Sequence, residues 1–157
     1  MTSPKFKRLF SFRERSIFSK CVPWTRLFGD YVSDTINGKK INLVKYALEN
    51  KDRLILKPAV GTCGKNVFVG ITYSDKEWSQ IIRDVLTQRY IIQERVEILE
   101  EYFPAIRNGN LIFEKRRIDI LPMMFQGKYF GSWSRCASGY ILNGYQGGII
   151  GINYTID

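Results

Sequence analysis

The residues best suited to chemistry lie in a glycine-containing loop, residues 59–66, which follows a short apolar strand carrying Lys57. Gly61 and Gly64 can adopt positive φ angles, so that backbone N–H groups can approach an anion closely. Lys65 adds a cation beside them, and Lys57 can direct its ammonium group into the same space. This combination favours phosphate binding, although a tight β-hairpin with exposed lysines would have the same local sequence.

The loop differs from a Walker A phosphate-binding loop at two positions. The pattern GxxxxGK[ST] requires a glycine where the chain has Ala59, and a hydroxyl residue where it has Asn66. The missing hydroxyl is the group that would hold magnesium, and residues 67–69 have the composition of a strand rather than a helix. We therefore expect that the protein is not a P-loop NTPase.

The composition excludes several other classes of mechanism. The 157 residues include no histidine, which removes imidazole bases and histidine metal ligands. Cys21, Cys63 and Cys136 are far apart and odd in number, so neither a zinc site nor a disulfide framework is expected, and a reducing, cytoplasmic location is favoured. The chain has no apolar run of membrane-spanning length and no secretory signal pattern, so no membrane span is expected.

The charge balance favours a polyanionic partner without identifying it. Twenty-four lysines and arginines against fifteen acidic residues give a net charge of +9. Residues 1–20 form a basic amphipathic N-terminal arm, expected to pack on a core edge, with membrane or nucleic-acid binding as alternatives. Elsewhere the basic residues are dispersed and the aromatic residues form no RNP-like motif, so a nucleic-acid-binding protein is the less favoured alternative.

Hydrophobic patterning predicts an α+β protein. Ser74 and Glu77 form a capping-box pattern ahead of the clearest amphipathic helix, with Trp78 on its core face. Asn37-Gly38 indicates a turn, and a polar stretch is expected between residues 97 and 114. Strands are predicted at 53–58, 67–71, 90–96, 115–125 and 129–136, the last two joined by a hairpin turn at 126–128, and a further helix is predicted at 41–50.

The order of these pieces resembles the ATP-grasp superfamily, and most closely its circularly permuted group of glutathionylspermidine synthase-like carboxylate–amine ligases. The resemblance covers about residues 20–150 and is carried by Val22-Pro23-Trp24-Thr25-Arg26, Leu54-Ile55-Leu56-Lys57-Pro58, the glycine loop, the capped helix, Tyr90 to Val96, Arg117-Ile118-Asp119, and Arg135 with Asn143. It implies an ATP-grasp-like α+β fold after the N-terminal arm. Two small lobes with antiparallel sheets, about 21–93 and about 94–157, would enclose a nucleotide cleft.

The resemblance also implies a role for each matching residue. Lys57 would contact the nucleotide phosphates, and the loop residues would close over the β- and γ-phosphates. The hinge strand at 93–96 would meet the adenine, and Arg135 would hold the γ-phosphate or an acyl phosphate. The implied residues are Lys57 and Arg135 for catalysis, Lys57, Gly61, Thr62, Gly64, Lys65, Gln93, Glu94 and Val96 for ATP, and Asp119 and Asn143 for Mg²⁺.

The implied function is ATP- and Mg²⁺-dependent ligation of a carboxylate, from a peptide or amino acid, to an amine through an acyl phosphate. Phosphoryl transfer needs cations, oxygen ligands and backbone donors, but no histidine. No second carboxylate precedes Asn143, and the chain holds little beyond the ATP-binding lobes. A degenerate, non-catalytic ATP-grasp module that binds nucleotide or peptide is therefore the main alternative. A missing lobe, a partner subunit or a homodimer could complete the ligase.

Several of these residues also have simpler structural interpretations. Asp119 could form a cross-strand ion pair, for which Arg135 is a partner, and Asn143-Gly144 is a good turn dipeptide. Glu94 could be a surface strand residue. Trp24 and Trp133 are expected in the core, as are Cys21 and Cys136, whereas nothing marks Cys63 as a nucleophile.

Overall fold

The computed structural model describes residues 2–34, 39–151 and 153, and the predicted Asn37-Gly38 turn lies outside them. Within these ranges the chain is α+β, as predicted, with three α-helices and three antiparallel sheets. It divides into two compact units, the first of residues 1–61 and 65–96 and the second of residues 62–64 and 97–157. None of the helices in the described ranges combines the length and apolarity that crossing a bilayer requires.

The first unit contains the three α-helices and two of the sheets. The helices are α1 (Phe12–Cys21), α2 (Leu43–Glu49) and α3 (Asp75–Val85), and 3₁₀ turns occupy Pro4–Leu9, Lys51–Arg53 and Gly70–Thr72. The strands are β1 (Thr25–Leu27), β2 (Val32–Asp34), β3 (Lys40–Asn42), β4 (Leu54–Pro58), β5 (Phe68–Val69) and β6 (Tyr90–Glu94). A four-stranded sheet has the order β1-β6-β4-β5, and β2 pairs with β3.

The core of the first unit lies between one face of the four-stranded sheet and helices α2 and α3. The sheet contributes alternate residues of β4 and β6, and the helices contribute residues at helical spacing. The buried side chains in this cluster are Trp24, Phe28, Leu43, Ala47, Leu54, Leu56, Trp78, Ile82, Val85, Tyr90 and Ile92. The predictions that Trp24 and Trp78 belong to the core are therefore confirmed.

Helix α3 begins as the sequence predicted. The Ser74 hydroxyl accepts a hydrogen bond from the Glu77 N–H, and the Glu77 carboxylate accepts one from the Ser74 N–H at 2.8 Å. The bonds from Ser74 also lower the pKa of Glu77. One turn later, the buried Trp78 indole N–H donates to the Ala47 carbonyl at 2.9 Å. This bond fastens α3 to α2 across the core.

Several predicted element boundaries differ from the structure, and two of the differences have a clear physical reason. Helix α2 starts at Leu43 rather than at residue 41, because Asn42 caps it by accepting a hydrogen bond from the Lys45 N–H at 2.9 Å. The strand predicted at 67–71 ends at Val69, and the chain turns at Gly70. A Cβ at Gly70 would lie only 1.9 Å from the Lys51 carbonyl oxygen, so this close backbone approach requires glycine.

The N-terminal arm contacts the sheet through its first described residue. The Thr2 hydroxyl donates to the Thr25 carbonyl at 3.2 Å and accepts from the Thr25 N–H at 3.1 Å. Helix α1 has its own capping box at Ser11 but buries none of its residues. Cys21, at the end of α1, is exposed, contrary to the prediction that it would be buried.

The second unit is mostly a four-stranded antiparallel sheet. Its strands are β7 (Leu99–Arg107), β8 (Asn110–Phe125), β9 (Lys128–Ala137) and β10 (Ile149–Gly151), in the order β10-β9-β8-β7, with a 3₁₀ turn at Gly144–Gln146. The predicted hairpin between β8 and β9 is confirmed. The polar stretch predicted between residues 97 and 114 was wrong, because it contains β7 and the start of β8.

Few side chains of this second sheet are buried. Cys136 is buried, as predicted, together with Ser134, Ala137 and Leu142. Burial raises the pKa of the Cys136 thiol, and the positive charge of Arg116 partly offsets this. Trp133 was expected in the core, but it is 37% exposed. It lies in the middle of β9, opposite Leu121 on β8.

Candidate functional site

Lys57 lies on β4, on the face of the first sheet opposite the core. Its neighbours Leu54 and Leu56 point into the core, and alternation along the strand places Lys57 on the other side. There its Nζ donates a 2.6 Å hydrogen bond to Oε1 of Gln93, its diagonal neighbour on β6. Gln93 Nε2 in turn donates to Thr25 Oγ1 on β1 at 2.9 Å. The ammonium group is thus oriented by a chain of bonds across three strands.

The electrostatic setting of Lys57 is unusual for a lysine. The side chain is partly buried, and burial lowers its pKa. Its hydrogen-bond partner is a neutral amide, and within the described ranges no carboxylate forms an ion pair with it. A cation that is desolvated and oriented, yet paired only with an amide, is suited to binding an anion.

The loop after β4 is tightly turned. Cys63, Gly64 and Asn66 have positive φ angles of 62°, 69° and 55°, whereas Gly61, which was expected to use this freedom, does not. A positive φ is uncommon for cysteine, and such residues concentrate at ligand-binding segments. Lys65 is exposed, and the Tyr90 hydroxyl donates to the Asn66 carbonyl at 3.3 Å, which fixes the end of the loop in the first unit.

The middle of the loop, Thr62–Gly64, belongs to the second unit. Within that unit Gly64 lies against Asn143, since a Cβ at Gly64 would be 2.6 Å from Asn143 Nδ2 and 2.8 Å from Ile141 Cγ2. The structure therefore brings together two residues that were predicted to belong to one site. Glycine is needed at position 64 for its positive φ and for this close contact.

The predicted hinge strand lies inside its sheet. Its register places Gln93 between Thr25 on β1 and Ile55 on β4, and the Glu94 N–H donates to the Trp24 carbonyl at 2.9 Å. Backbone donors and acceptors up to Glu94 thus take part in the sheet ladder. The Glu94 carboxylate lies 3.6 Å from the Arg53 guanidinium, and Val96, beyond the strand end, is exposed. Of these residues, Val96 is the one positioned to offer its backbone to a ligand.

Asp119 and Arg135 are directly opposite each other on β8 and β9. Arg135 Nη2 and Nε donate to the two oxygens of Asp119 at 2.5 Å and 3.2 Å, and the Arg135 N–H also donates to Oδ1. The bond to Asp119 raises the pKa of Arg135 further above its usual value. Asp119 and Arg135 thus form the cross-strand ion pair that was the simpler interpretation of these residues. The Asp119 carboxylate neutralises the Arg135 guanidinium and does not face an open position for a metal ion.

Two other acidic groups of this sheet, Glu100 on β7 and Glu114 on β8, are also paired with cations. Glu100 contacts Lys115 and Arg117 at 2.6 Å and 2.8 Å, and Glu114 contacts Arg107 and Arg116. These bonds lower the pKa values of Glu100 and Glu114. No group of three or more acidic or cysteine side chains within the described residues is arranged to hold a metal ion.

Asn143 is likewise engaged as a turn residue. Its Oδ1 accepts a 2.9 Å hydrogen bond from the Gln146 N–H and caps the 3₁₀ turn that follows, which agrees with its turn interpretation. The amide oxygen that was predicted to bind Mg²⁺ thus already has a donor. With Asp119 paired to Arg135 as well, the predicted ligands as arranged here do not fit a magnesium site.

Sequence reasoning missed two members of the site. Thr25 was quoted only as part of the segment 22–26, yet its hydroxyl ends the chain of bonds that orients Lys57. Cys63 was considered only as a nucleophile, whereas its left-handed backbone shapes the loop. Because Trp24 was expected in the core, alternation along the adjoining strand could have placed Thr25 on the opposite face of the sheet, where Gln93 also lies. No local signal indicated the conformation of Cys63.

Comparisons with known proteins add no further guidance. The chain matches no protein-family model, and no curated protein is significantly similar to it. Its function therefore has to follow from the side chains described above.

Proposed function

We propose that this chain is the ATP-binding portion of a carboxylate–amine ligase that acts through an acyl phosphate. The observation that carries the proposal is the Lys57 ammonium group, which is partly buried, oriented by Gln93 and Thr25, and, among the described residues, paired only with a neutral amide. The triphosphate of ATP would supply the negative charge that pairs with the Lys57 ammonium group. The turned loop that follows β4 has left-handed backbone angles at Cys63 and Gly64, a feature that also occurs in backbone anion-binding segments.

In the ligase reaction a carboxylate oxygen attacks the γ-phosphorus of ATP and ADP leaves. The amine then attacks the acyl carbon, and inorganic phosphate leaves with the bonding electron pair and takes up the proton that the amine loses. Lys57 would neutralise phosphate charge during the first step, because such transfer depends mainly on positioning and charge neutralisation. Arg135 would act on the transferred phosphoryl group only after its contact with Asp119 opens. The carboxylate is proposed to be a peptide or amino acid, as the resemblance implies.

One observation favours a second candidate, a non-catalytic module that binds nucleotide. The oxygens of Asp119 and Asn143 are engaged with Arg135 and Gln146, so the predicted magnesium ligands are occupied by the protein itself. Because ligation of this kind needs the metal, no catalytic step follows from the present arrangement of these two side chains. Nucleotide binding at Lys57 does not depend on them.

Calorimetric titration with a non-hydrolysable ATP analogue tests the proposal. Lys57→Met should weaken binding at least tenfold, since a charge-assisted bond contributes about 1.5–3 kcal/mol. Lys76→Met is the matched control, because Lys76 is an exposed lysine on α3 and its loss should leave binding unchanged. Equal affinity of wild type and Lys57→Met, or no binding by wild type, would contradict the proposal.

The same titration with and without Mg²⁺ separates the two candidates. An affinity that rises with Mg²⁺, and falls in Asp119→Asn, would support the ligase. An unchanged affinity would support the non-catalytic module. We also propose a cytoplasmic location, which is supported by the three cysteines, none of which forms a disulfide.

A further inference from the structure

A cavity of about 750 Å³ opens in the first unit beside the edge strand β1. Its walls come from the start of the chain at residues 2–6, from β1, and from Tyr31, Arg89 and Ile91. The volume lies within the range of about 300–1,000 Å³ that small-molecule sites occupy. It exceeds the space that an inorganic ion needs, so it suits an organic ligand.

The charged groups that line this cavity have one sign. Lys5, Arg26 and Arg89 contribute to the wall, and no carboxylate is found among its described lining residues. Clefts with cations of one sign and low-dielectric walls concentrate anions. A ligand of negative charge therefore fits the cavity.

Arg26 is a fixed cation in this wall. It is only 6% exposed, and its Nη1 donates to the Thr25 carbonyl at 2.8 Å and to the Thr2 hydroxyl at 3.2 Å. Its guanidinium also lies 5.2 Å from the centre of the Trp24 ring. These contacts hold the charge in one position, which reduces the ordering that binding would otherwise require.

The remaining wall offers apolar surface and one aromatic hydroxyl. Phe6, Leu27 and Ile91 supply the apolar part. Burial raises the pKa of Tyr31, and the positive charge of Arg26 acts on the same hydroxyl in the opposite direction. The cavity thus pairs a cationic region with a surface for an apolar body.

We propose that this cavity binds a small organic anion, with its phosphate or carboxylate group held by Lys5 and Arg89 and its apolar body against Phe6, Leu27 and Ile91. The proposal does not rest on ATP binding, because Lys57 is not among the residues that line the cavity. Phosphate and carboxylate groups are both anions whose oxygens accept charge-assisted hydrogen bonds from lysine and arginine. The experiment therefore includes a ligand of each kind.

The test is an NMR titration of the ¹⁵N-labelled chain with phenylphosphonate, benzoate and the neutral benzamide. We expect at least one of the two anions to shift the backbone amide signals of Thr25, Arg26 and Leu27, and benzamide to leave them in place. Lys5→Ala and Arg89→Ala should each weaken anion binding about tenfold, as loss of one charge-assisted contact does.

Two exposed residues provide matched controls. Arg8 lies on the same 3₁₀ turn as Lys5, and Arg83 lies on the exposed side of α3; neither lines the cavity. Arg8→Ala and Arg83→Ala should leave the affinity unchanged. Binding of neither anion at millimolar concentration, equal binding of benzamide, or equal losses in the control variants would overturn the proposal. Thr25 lines the cavity and also ends the chain of bonds that orients Lys57, so the titrations are repeated with Lys57→Met. This variant should leave the anion affinity unchanged, whereas a loss equal to that in Lys5→Ala would place the anion at Lys57 and overturn the proposal.

Discussion

Replacing Lys57 by methionine should separate ligand binding from folding. The ammonium group is partly buried, and within the part of the chain that the structure describes its one bond is to the Gln93 amide oxygen; its pKa is lowered because burial disfavours the charged form. A partly buried lysine that mainly stabilises the fold would be expected to form an ion pair with a carboxylate. We expect Lys57→Met to weaken binding of the ATP analogue at least tenfold and to leave the free energy of unfolding nearly unchanged.

The magnitude follows from opposing contributions. Losing the bond to Gln93 costs about 1.5–3 kcal/mol, because its donor is a charged ammonium group. Removing a charge that burial disfavours acts in the opposite direction, and methionine keeps most of the apolar stem that packs on the sheet. We therefore expect Lys57→Met to lie within about 1 kcal/mol of wild type, a shift of at most about 2–4 °C in Tm for a domain of this size. Lys57→Ala also loses about three partly buried methylenes, which costs about 1 kcal/mol more.

Urea denaturation followed by tryptophan fluorescence measures the stability, because Trp24 and Trp78 are buried in the core of this unit. Calorimetric titration of the same samples measures binding. A loss of more than about 3 kcal/mol in Lys57→Met would exceed the cost of one hydrogen bond from a charged donor and would show that Lys57 serves the fold. Unchanged binding in a stable Lys57→Met variant would refute the assignment of the ligand site.

Three further predictions concern pH and the fold. Because the folded pKa of Lys57 is lowered, the destabilising effect of its buried charge is fully present below that pKa and is relieved as pH rises towards the ordinary lysine value. The affinity for the ATP analogue should fall over the same alkaline interval, because the ammonium group loses its charge. Calorimetric titrations between neutral pH and pH 10 would detect this fall. Ser74→Ala should lower the free energy of unfolding by about 1 kcal/mol because it removes the cap of a core helix, whereas Ser11→Ala, at a helix with no buried residue, should leave the thermal transition unchanged. Gly70→Ala should destabilise by more than about 3 kcal/mol because its Cβ would clash with a backbone carbonyl, while Gly139→Ala, where a Cβ meets nothing within 4 Å, should have a small effect; comparison of their urea midpoints checks this.

The features predicted correctly from the sequence are local ones. The pattern Ser74-x-x-Glu77 determines where α3 begins, and the spacing of Trp78 and Ile82 determines which face of that helix is buried. The turn at Gln126-Gly127 likewise indicated a hairpin. In each case the interacting groups are separated by a few residues, so that propensity and periodicity suffice.

Strand β7 could also have been predicted from a local signal. Asn108 and Gly109 both have positive φ, as two-residue hairpin turns require, and Asn-Gly is a strong sequence signal for such turns. The charged residues of β7 and β8 obscured it, because they suggested a solvated polar stretch. In the structure, Glu100 and Glu114 instead form cross-strand and same-strand ion pairs, which allow charged residues to occupy a sheet.

The composition of the candidate site depended on tertiary structure. Lys57, Gln93 and Thr25 come from three strands far apart in the chain, and only the sheet order β1-β6-β4 places their side chains in one line. Similarly, the register of β8 against β9 pairs Asp119 with Arg135. A shift of one residue would have placed them on opposite faces of the sheet. The residue types alone thus determined which chemistry was possible, whereas strand pairing decided which groups meet and which charges are already neutralised.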